Sequence, residues 1–311
     1  MNNDARNNAR LAVIVLLLAL IAWYKPGLQQ YQYQYLYLSS LNPEQVQTIV
    51  IERQGIESVR LTKQGQHWLM QSPYLLPANP LRVKTVLALA SKRSYSSFDV
   101  PDSELKKYAL DKPQLSVWLD NNCFDLVGNE TPLNGQRYAV NIQDNIHSGK
   151  NTIHLINGAV YYQLRAPVDS FISPSLLPPD ADLEQIQWGG YSLTLKNGQW
   201  QLKTNRENAG IQPDSVVQLI HNWQTIHASR VETRLKVNPN TLNGAQTAEK
   251  TIAIRYKLNN REQIISYYII QEDSQIKLFR QDLSVAWWIT SQQLKLLTEF
   301  IPITKTTKSS Q

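Results

Sequence analysis

A chain of 311 residues with 42% apolar and 18% charged residues has the composition of a folded protein with room for two ordinary domains, which excludes a disordered chain. The formal charge is only +6, and no basic stripe or nucleic-acid-binding motif accompanies it, so no nucleic-acid partner is expected. Cys123 is the only cysteine, which excludes an intrachain disulfide and a cysteine-based zinc site, and it lies far from the N-terminus, unlike the acylated cysteine of a bacterial lipoprotein.

Leu11 to Tyr24 is an unbroken apolar run between Arg10 and Lys25. As a helix it covers roughly 21 Å, against roughly 30 Å for a hydrocarbon core. Arg10 and Lys25 can snorkel, and Trp23 and Tyr24 suit the membrane interface, so a span is expected. A cleaved signal peptide is the rival, but Ala22-Trp23-Tyr24-Lys25-Pro26 makes a poor cleavage site. A buried helix is the third reading. Arg6 and Arg10 precede the run, so the N-terminus is expected in the cytoplasm and the rest of the chain outside, although Lys25 opposes that bias. In a bacterium this means an inner-membrane, single-pass protein whose bulk is periplasmic. The anchor residues are then Arg10, Leu11, Trp23, Tyr24 and Lys25. The mild basic excess gives weak attraction to anionic lipid, although a merely soluble basic surface is the plainer reading.

Gly27 to Leu38 follows, with Tyr31, Tyr33, Tyr35 and Tyr37 alternating with Gln or Leu. Period two puts the four rings on one face of a strand. They form either an aromatic surface for headgroups or a partner, or a strand packed on its own domain. The second is favoured.

The remainder reads as one unit written twice. Ser58, Leu61, Lys63, Gly65 and Trp68 align with Ser192, Leu195, Lys196, Gly198 and Trp200, allowing a small gap. Each copy opens with a three-stranded meander, and Asn197-Gly198 is a strong hairpin signal. A helix follows each meander. Asn79-Pro80 starts the first and Pro213-Asp214 the second, and the helices run toward Ser96-Ser97-Phe98 and Ser229-Arg230-Val231. A second strand group closes each copy. Tyr161-Tyr162 and Trp287-Trp288 are expected at comparable strand positions near its end. A last helix spans Ser291 to Phe300, and 304–311 is a polar tail expected to be disordered. Pro174 to Asp182 reads as an extended, semi-rigid link between the copies, with Asp180, Asp182 and Glu184 as its solvated acids.

The expected class is therefore α+β: a transmembrane helix, then two tandem β-meander–helix–β-meander units. The divisions are 1–40 for stub, anchor and stalk, 41–180 and 181–303 for the two units, and 304–311 for the tail.

The text Lys63-Gln64-Gly65-Gln66-His67-Trp68, the Pro73-to-Pro80 link, Phe98, Tyr108-Ala109-Leu110-Asp111-Lys112-Pro113, Val127-Gly128 and Tyr138 together resemble the bacterial family called domain of unknown function 4340. The resemblance covers roughly residues 45–300. Ala109 departs from the family's usual Gly in its Tyr-Gly-Leu-x-x-Pro turn. The resemblance implies a membrane-anchored extracytoplasmic protein, some of whose relatives accompany ABC-transporter auxiliary components. It implies no catalytic residue.

The residues themselves show little chemistry. There is no phosphate loop, no Gly-x-Ser-x-Gly elbow, no His-Glu-x-x-His and no dinucleotide fingerprint. His221 and His227 are six apart on a helix, the wrong spacing for a metal pair, and His147 and His154 straddle a loop with no nearby carboxylate except Asp144, so these histidines and His67 read as satisfied or solvated. Neither a metal nor a cofactor is expected. Trp68 and Trp200 are expected in repeated core roles, and one ring of Trp287-Trp288 is expected to be exposed as a partner contact, since neighbours on a strand face opposite sides. The leading expectation is a non-enzymatic periplasmic partner-binding module of an envelope or transporter-associated complex. The alternative is a glycan- or lipid-binding protein using a cleft between the copies. A third is an enzyme whose site is assembled from scattered residues.

Overall fold

A computed structural model describes residues 3–24, 36–131, 135–142, 150–204, 213–235, 250–272 and 275–300. The chain divides into two compact units, the first ending at Leu36 and the second starting at Tyr37.

The first unit holds helix α1 (Asn3–Tyr24). It contains the whole apolar run, preceded by the mostly polar stretch Asn3 to Arg10. Among the described residues no helix is long and apolar enough to cross a membrane.

The second unit is mostly antiparallel sheet with a few short helices, an α+β body. Its first sheet is built from β1 (Thr48–Arg53), β2 (Ile56–Gln64), β3 (His67–Ser72), β4 (Leu76–Pro77), β5 (Ser96–Val100), β6 (Leu115–Leu119), β7 (Asn122–Glu130), β8 (Gln136–Asn141) and β9 (Asn151–Asn157). Helix α2 (Pro80–Leu87) lies between β4 and β5, and α3 (Ala159–Leu164) follows β9. The second sheet is built from β10 (Asp182–Trp188), β11 (Tyr191–Lys196), β12 (Gln199–Thr204), β13 (Arg230–Thr233), β14 (Thr251–Leu258), β15 (Arg261–Glu272), β16 (Gln275–Arg280) and β17 (Val285–Thr290). Helix α4 (Pro213–Thr225) precedes β13, and α5 (Ser291–Thr298) follows β17.

The strand orders are β4-β3-β2-β1-β6-β7-β8-β9-β5 and β12-β11-β10-β14-β15-β16-β17-β13. From β3 and β12 onward the two orders coincide strand for strand. Only the short β4 lacks a counterpart among the described residues.

Local chemistry explains the elements. Asn197 and Gly198 both hold positive φ, as a two-residue primed turn demands, and Lys196 pairs with Gln199 across it. The Asn79 side chain accepts from the Leu81 amide at 3.0 Å, capping α2 ahead of Pro80. Thr290 and Gln293 form a capping box at α5.

Four sequence expectations need correction. Counted from the hairpin turn, Leu61 corresponds to Leu193, not to Leu195. Leu61 and Leu193 are both fully buried, whereas Leu195 is 38% exposed. Strand pleating alternates the faces, so the turn decides the alignment rather than residue likeness. Second, α2 ends at Leu87, and Ser96–Val100 is an edge strand paired with β9. Third, Tyr161 and Tyr162 lie on α3, not on a strand. The Asn157 side chain accepts from the Ala159 amide at 2.8 Å and turns the chain into that helix. Fourth, the link after Ser173 is not a solvated connector. Ile172, Leu176 and Leu177 are buried in the same core as both sheets.

That core is continuous from Leu38 to Leu297. The link's backbone groups are satisfied within it: Ser173 N–H donates to Pro77 at 2.8 Å, Ala228 N–H donates to Pro174 at 2.9 Å, and the Tyr267 hydroxyl donates to Leu176. Each sheet also carries a small apolar cluster of its own. One holds Val100, Leu110, Val140 and Ile153; the other holds Ile270, Phe279 and Ala286.

Candidate interaction surface

The exposed face of α2 and the turn after it form a concavity. Val83 and Val86 point into the core, which leaves Leu81, Lys84, Thr85 and Ala88 on the outer side. Leu81 is 76% exposed, a large apolar side chain left in water. After α2 the chain tightens, with Leu89 N–H donating to Val86 at 3.0 Å and Lys92 N–H to Leu89 at 3.0 Å. This brings Lys92 back beside Ala88. The Leu38 amide donates to Lys92 at 2.8 Å and the Ser39 hydroxyl to Ala90 at 2.8 Å, so the strand entering from Tyr37 is pinned alongside.

Two adjoining cavities result, of about 370 and 650 Å³, sharing Ala88 and Lys92. The first is completed by Leu81, Lys84, Thr85, Leu89, Val160 and Gln163. The second is completed by Tyr37, Ser91, Arg93, Tyr95 and Asn157. Among the described residues three cations line the pair and no carboxylate does. Neither Lys84 nor Lys92 is in an ion pair among the described residues. Tyr37 and Tyr95 are 46% and 61% exposed.

A family model described as a domain of unknown function, DUF4340, matches residues 68–249, more than half of the chain. The chain belongs to this family. No curated protein and no solved structure matches it. The DUF4340 span begins in β3 and runs past β13, so it takes in α2, Lys92, Arg93 and Tyr95. It also takes in the Tyr108-to-Pro113 turn. There Ala109 holds φ 56°, left-handed backbone that favours the glycine usual in DUF4340 turns. Tyr108 packs on Phe98 and Tyr138 with ring centroids 5.4 and 5.0 Å away, which anchors the turn to the sheet.

The site residues expected from sequence fall in different places. Arg10 and Leu11 are exposed on α1, and Trp23 and Tyr24 lie in the same helix. Lys25, Tyr31, Tyr33 and Tyr35 lie outside the described residues, as do His147 and the tail 304–311. Tyr37 is exposed and joins the concavity.

Trp287 and Trp288 are not exposed partner contacts. Their side chains do face opposite sides of the sheet, but both sides are covered. Trp287 is 3% exposed, stands edge-on to Tyr267 at 5.8 Å, and donates to the Ser173 carbonyl at 3.1 Å. Trp288 is 9% exposed. Arg230 lies over its ring at 4.2 Å and Lys277 at 4.4 Å, and its indole N–H donates to Glu232 at 2.7 Å. Lys277 in turn pairs with Glu272 at 2.7 Å. Trp68 and Trp200 both pack against the main core.

A second cationic cluster is structural. Arg137 is buried, with its guanidinium 4.1 Å from the Tyr161 ring and 5.1 Å from the Tyr162 ring. Arg53 donates to the carbonyls of Ala166 and Glu57 and lies over Phe171 at 5.6 Å. Burial first, then the neighbouring Arg165, lowers its pKa to about 10. Arg137 thus holds α3, and Arg53 the segment at Ala166, to the first sheet.

His67 pairs with Asp180 at 3.0 Å, while His221 and His227 are exposed on different elements. Among the described residues no group of three His, Cys, Asp or Glu converges for a metal. Sequence reasoning missed the concavity. Its signal was a stretch without Asp or Glu between Glu57 and Asp99 that holds Arg60, Lys63, Arg82, Lys84, Lys92 and Arg93.

Proposed function

We propose that this DUF4340 protein is a non-enzymatic, membrane-anchored periplasmic module that serves an envelope or transporter-associated complex of a bacterium. Helix α1 is its single-pass anchor, with the N-terminus cytoplasmic and the body periplasmic. The body is two tandem copies of one α+β unit, fused into a rigid support that presents surface to a partner protein. The observation that carries this reading is the common strand order of two sheets that share one continuous core. Two copies packed without an open seam make a stiff platform, which suits holding partners in fixed register. The anchor rests on Arg10, the apolar run and the interfacial pair Trp23 and Tyr24, which let a short helix span by snorkelling and local bilayer thinning.

The filled seam weighs against the alternative, a glycan- or lipid-binding cleft between the copies. The aromatic residues there, Trp223, Tyr267 and Trp287, are core side chains.

The experiment is crosslinking in intact cells, purification through a C-terminal tag, and mass spectrometry. Recovery of transporter or envelope-complex subunits is expected. Recovery of the chain alone, from a soluble fraction, would sink both the anchor and the partner role.

A further inference from the structure

We propose that Asn197 is a self-modifying site: in the folded protein its side-chain amide is lost through a cyclic imide, which leaves aspartate and isoaspartate at the tip of the β11–β12 hairpin. The proposal stands apart from the anchored reading above.

The chemistry needs only water. The backbone nitrogen of the residue after an asparagine gives up its proton and attacks the side-chain carbonyl carbon Cγ. The Cγ–Nδ2 bond breaks and ammonia leaves, closing a succinimide ring. Water then opens the ring. Attack at Cγ leaves aspartate. Attack at the backbone carbonyl leaves isoaspartate, whose main chain runs through Cβ and is longer by one carbon. Water enters, ammonia departs, and nothing is oxidised or reduced. The rate has two requirements. No Cβ should crowd the attacking nitrogen, which favours glycine. That N–H and the asparagine side chain must also be unheld by other groups.

Three turns separate these requirements. Asn197-Gly198 meets both. The two residues are exposed, and a Cβ built on Gly198 would meet nothing within 4 Å. Lys196 and Gln199 are the closing pair of the hairpin, so the strand ladder stops short of the Gly198 amide. Asn259-Asn260 repeats the turn, with φ 51° and 60° against 53° and 77°, and is also exposed. There the attacking nitrogen belongs to a residue with a side chain. Asn157-Gly158 has the glycine but is locked. Gly158 is buried and its amide donates to Gly135 at 2.9 Å, while the Asn157 side chain accepts from the Ala159 amide at 2.8 Å. Both bonds must break before Asn157 can react, which slows it by roughly tenfold or more. Asn134 and Asn243 also precede glycine but lie outside the described residues.

The product matters to the strand it joins. A two-residue turn fixes the register of its hairpin, and isoaspartate lengthens that turn. Among the described residues β12 is an edge strand held by β11 alone. Conversion therefore loosens its Gln199 end.

The test incubates the full-length chain in mildly alkaline buffer, either folded or unfolded in guanidinium chloride. Peptide mass spectrometry follows the amide-to-acid conversion at each site, and an isoaspartate-specific methyltransferase scores the product. In the folded chain Asn197 should convert roughly tenfold or more faster than Asn157, with Asn259 also behind. In guanidinium chloride Asn157 should catch up with Asn197, because its hydrogen bonds are gone, while Asn259 still lags. An Asn197 that stays intact in the folded chain while it converts in the denatured one overturns the proposal. So does equal conversion of Asn157 and Asn197 in the folded chain, or a gap between them that survives denaturation. Asn259 keeping pace with Asn197 would overturn the role given to Gly198. Amide exchange across Gln199–Thr204 should quicken in the converted protein, and unchanged exchange overturns the loosening of β12.

Discussion

The Trp287 indole donates to the Ser173 carbonyl at 3.1 Å, tying the last strand of the second sheet to the segment that leaves the first. The bond is buried, and the same ring stands edge-on to Tyr267, whose hydroxyl donates to Leu176, three residues beyond Ser173. Two aromatic side chains of the second sheet thus satisfy carbonyls of the link that would otherwise be stranded in the core. The link is held as a structural strut between the sheets.

Trp287→Phe tests that bond with an aromatic ring kept in place, although the smaller phenyl also leaves part of the indole volume unfilled. The Ser173 carbonyl loses its partner, and a buried unsatisfied acceptor costs about 1–3 kcal/mol. Urea denaturation should show a loss of that size in a single transition, because one core spans both sheets. A loss below about 0.5 kcal/mol would mean that the carbonyl finds another donor.

Much of the fold was legible in the chain. Asn79-Pro80 announced α2, Asn197-Gly198 announced the second hairpin, and the apolar spacing in β14 to β16 announced those strands. The misreadings share one cause. Tyr161-Tyr162 and Trp287-Trp288 look alike as text, yet one pair lies on a helix set by Asn157 and the other on an inner strand. Residue likeness carries no information about what covers a side chain. For the same reason Trp288 could not be placed beneath Arg230 and Lys277, because those contacts join separate strands. The concavity was half visible, as cations without acids, but Tyr37 and Lys92 are brought together by backbone pairing that includes the bond from Leu38 to Lys92.

Ala109→Gly should stabilise the chain. Ala109 holds φ 56°, where an L side chain costs about 1–2 kcal/mol. Glycine relieves that cost but gains freedom in the unfolded chain, which offsets roughly half. A net gain of about 0.5–1 kcal/mol is expected in the urea midpoint. A loss would show that the Ala109 methyl contributes more to the Val100–Ile153 cluster than the backbone costs.

Gly158→Ala should do the opposite. A Cβ there would sit 2.4 Å from the Gly135 carbonyl oxygen and 3.3 Å from Arg137 Cγ. The first contact is with backbone that also accepts the Gly158 amide at 2.9 Å, so it cannot simply rotate away. Overpacking of this kind costs about 1–3 kcal/mol. Thermal melts of the two proteins compare it directly, and an unchanged melt would show that the turn at Gly135 yields freely.

Asp169 gives a pH test. Burial, reinforced by nearby Glu232, raises its carboxyl pKa above the usual carboxylate value, against the lowering from backbone hydrogen bonds and Arg230. A raised folded pKa means that the native state binds the proton more tightly than the unfolded chain does. The resulting stability is fully present below the unfolded pKa and is lost as pH rises through the folded one. Asp169→Asn keeps the hydrogen-bonding shape and removes the titration. Its stability relative to the parent should therefore increase as pH climbs from about 3.8, then level off once the parent's carboxyl is ionised. Urea midpoints across that range measure the difference. Parallel profiles would show that the carboxylate is as well solvated in the folded protein as in the unfolded chain.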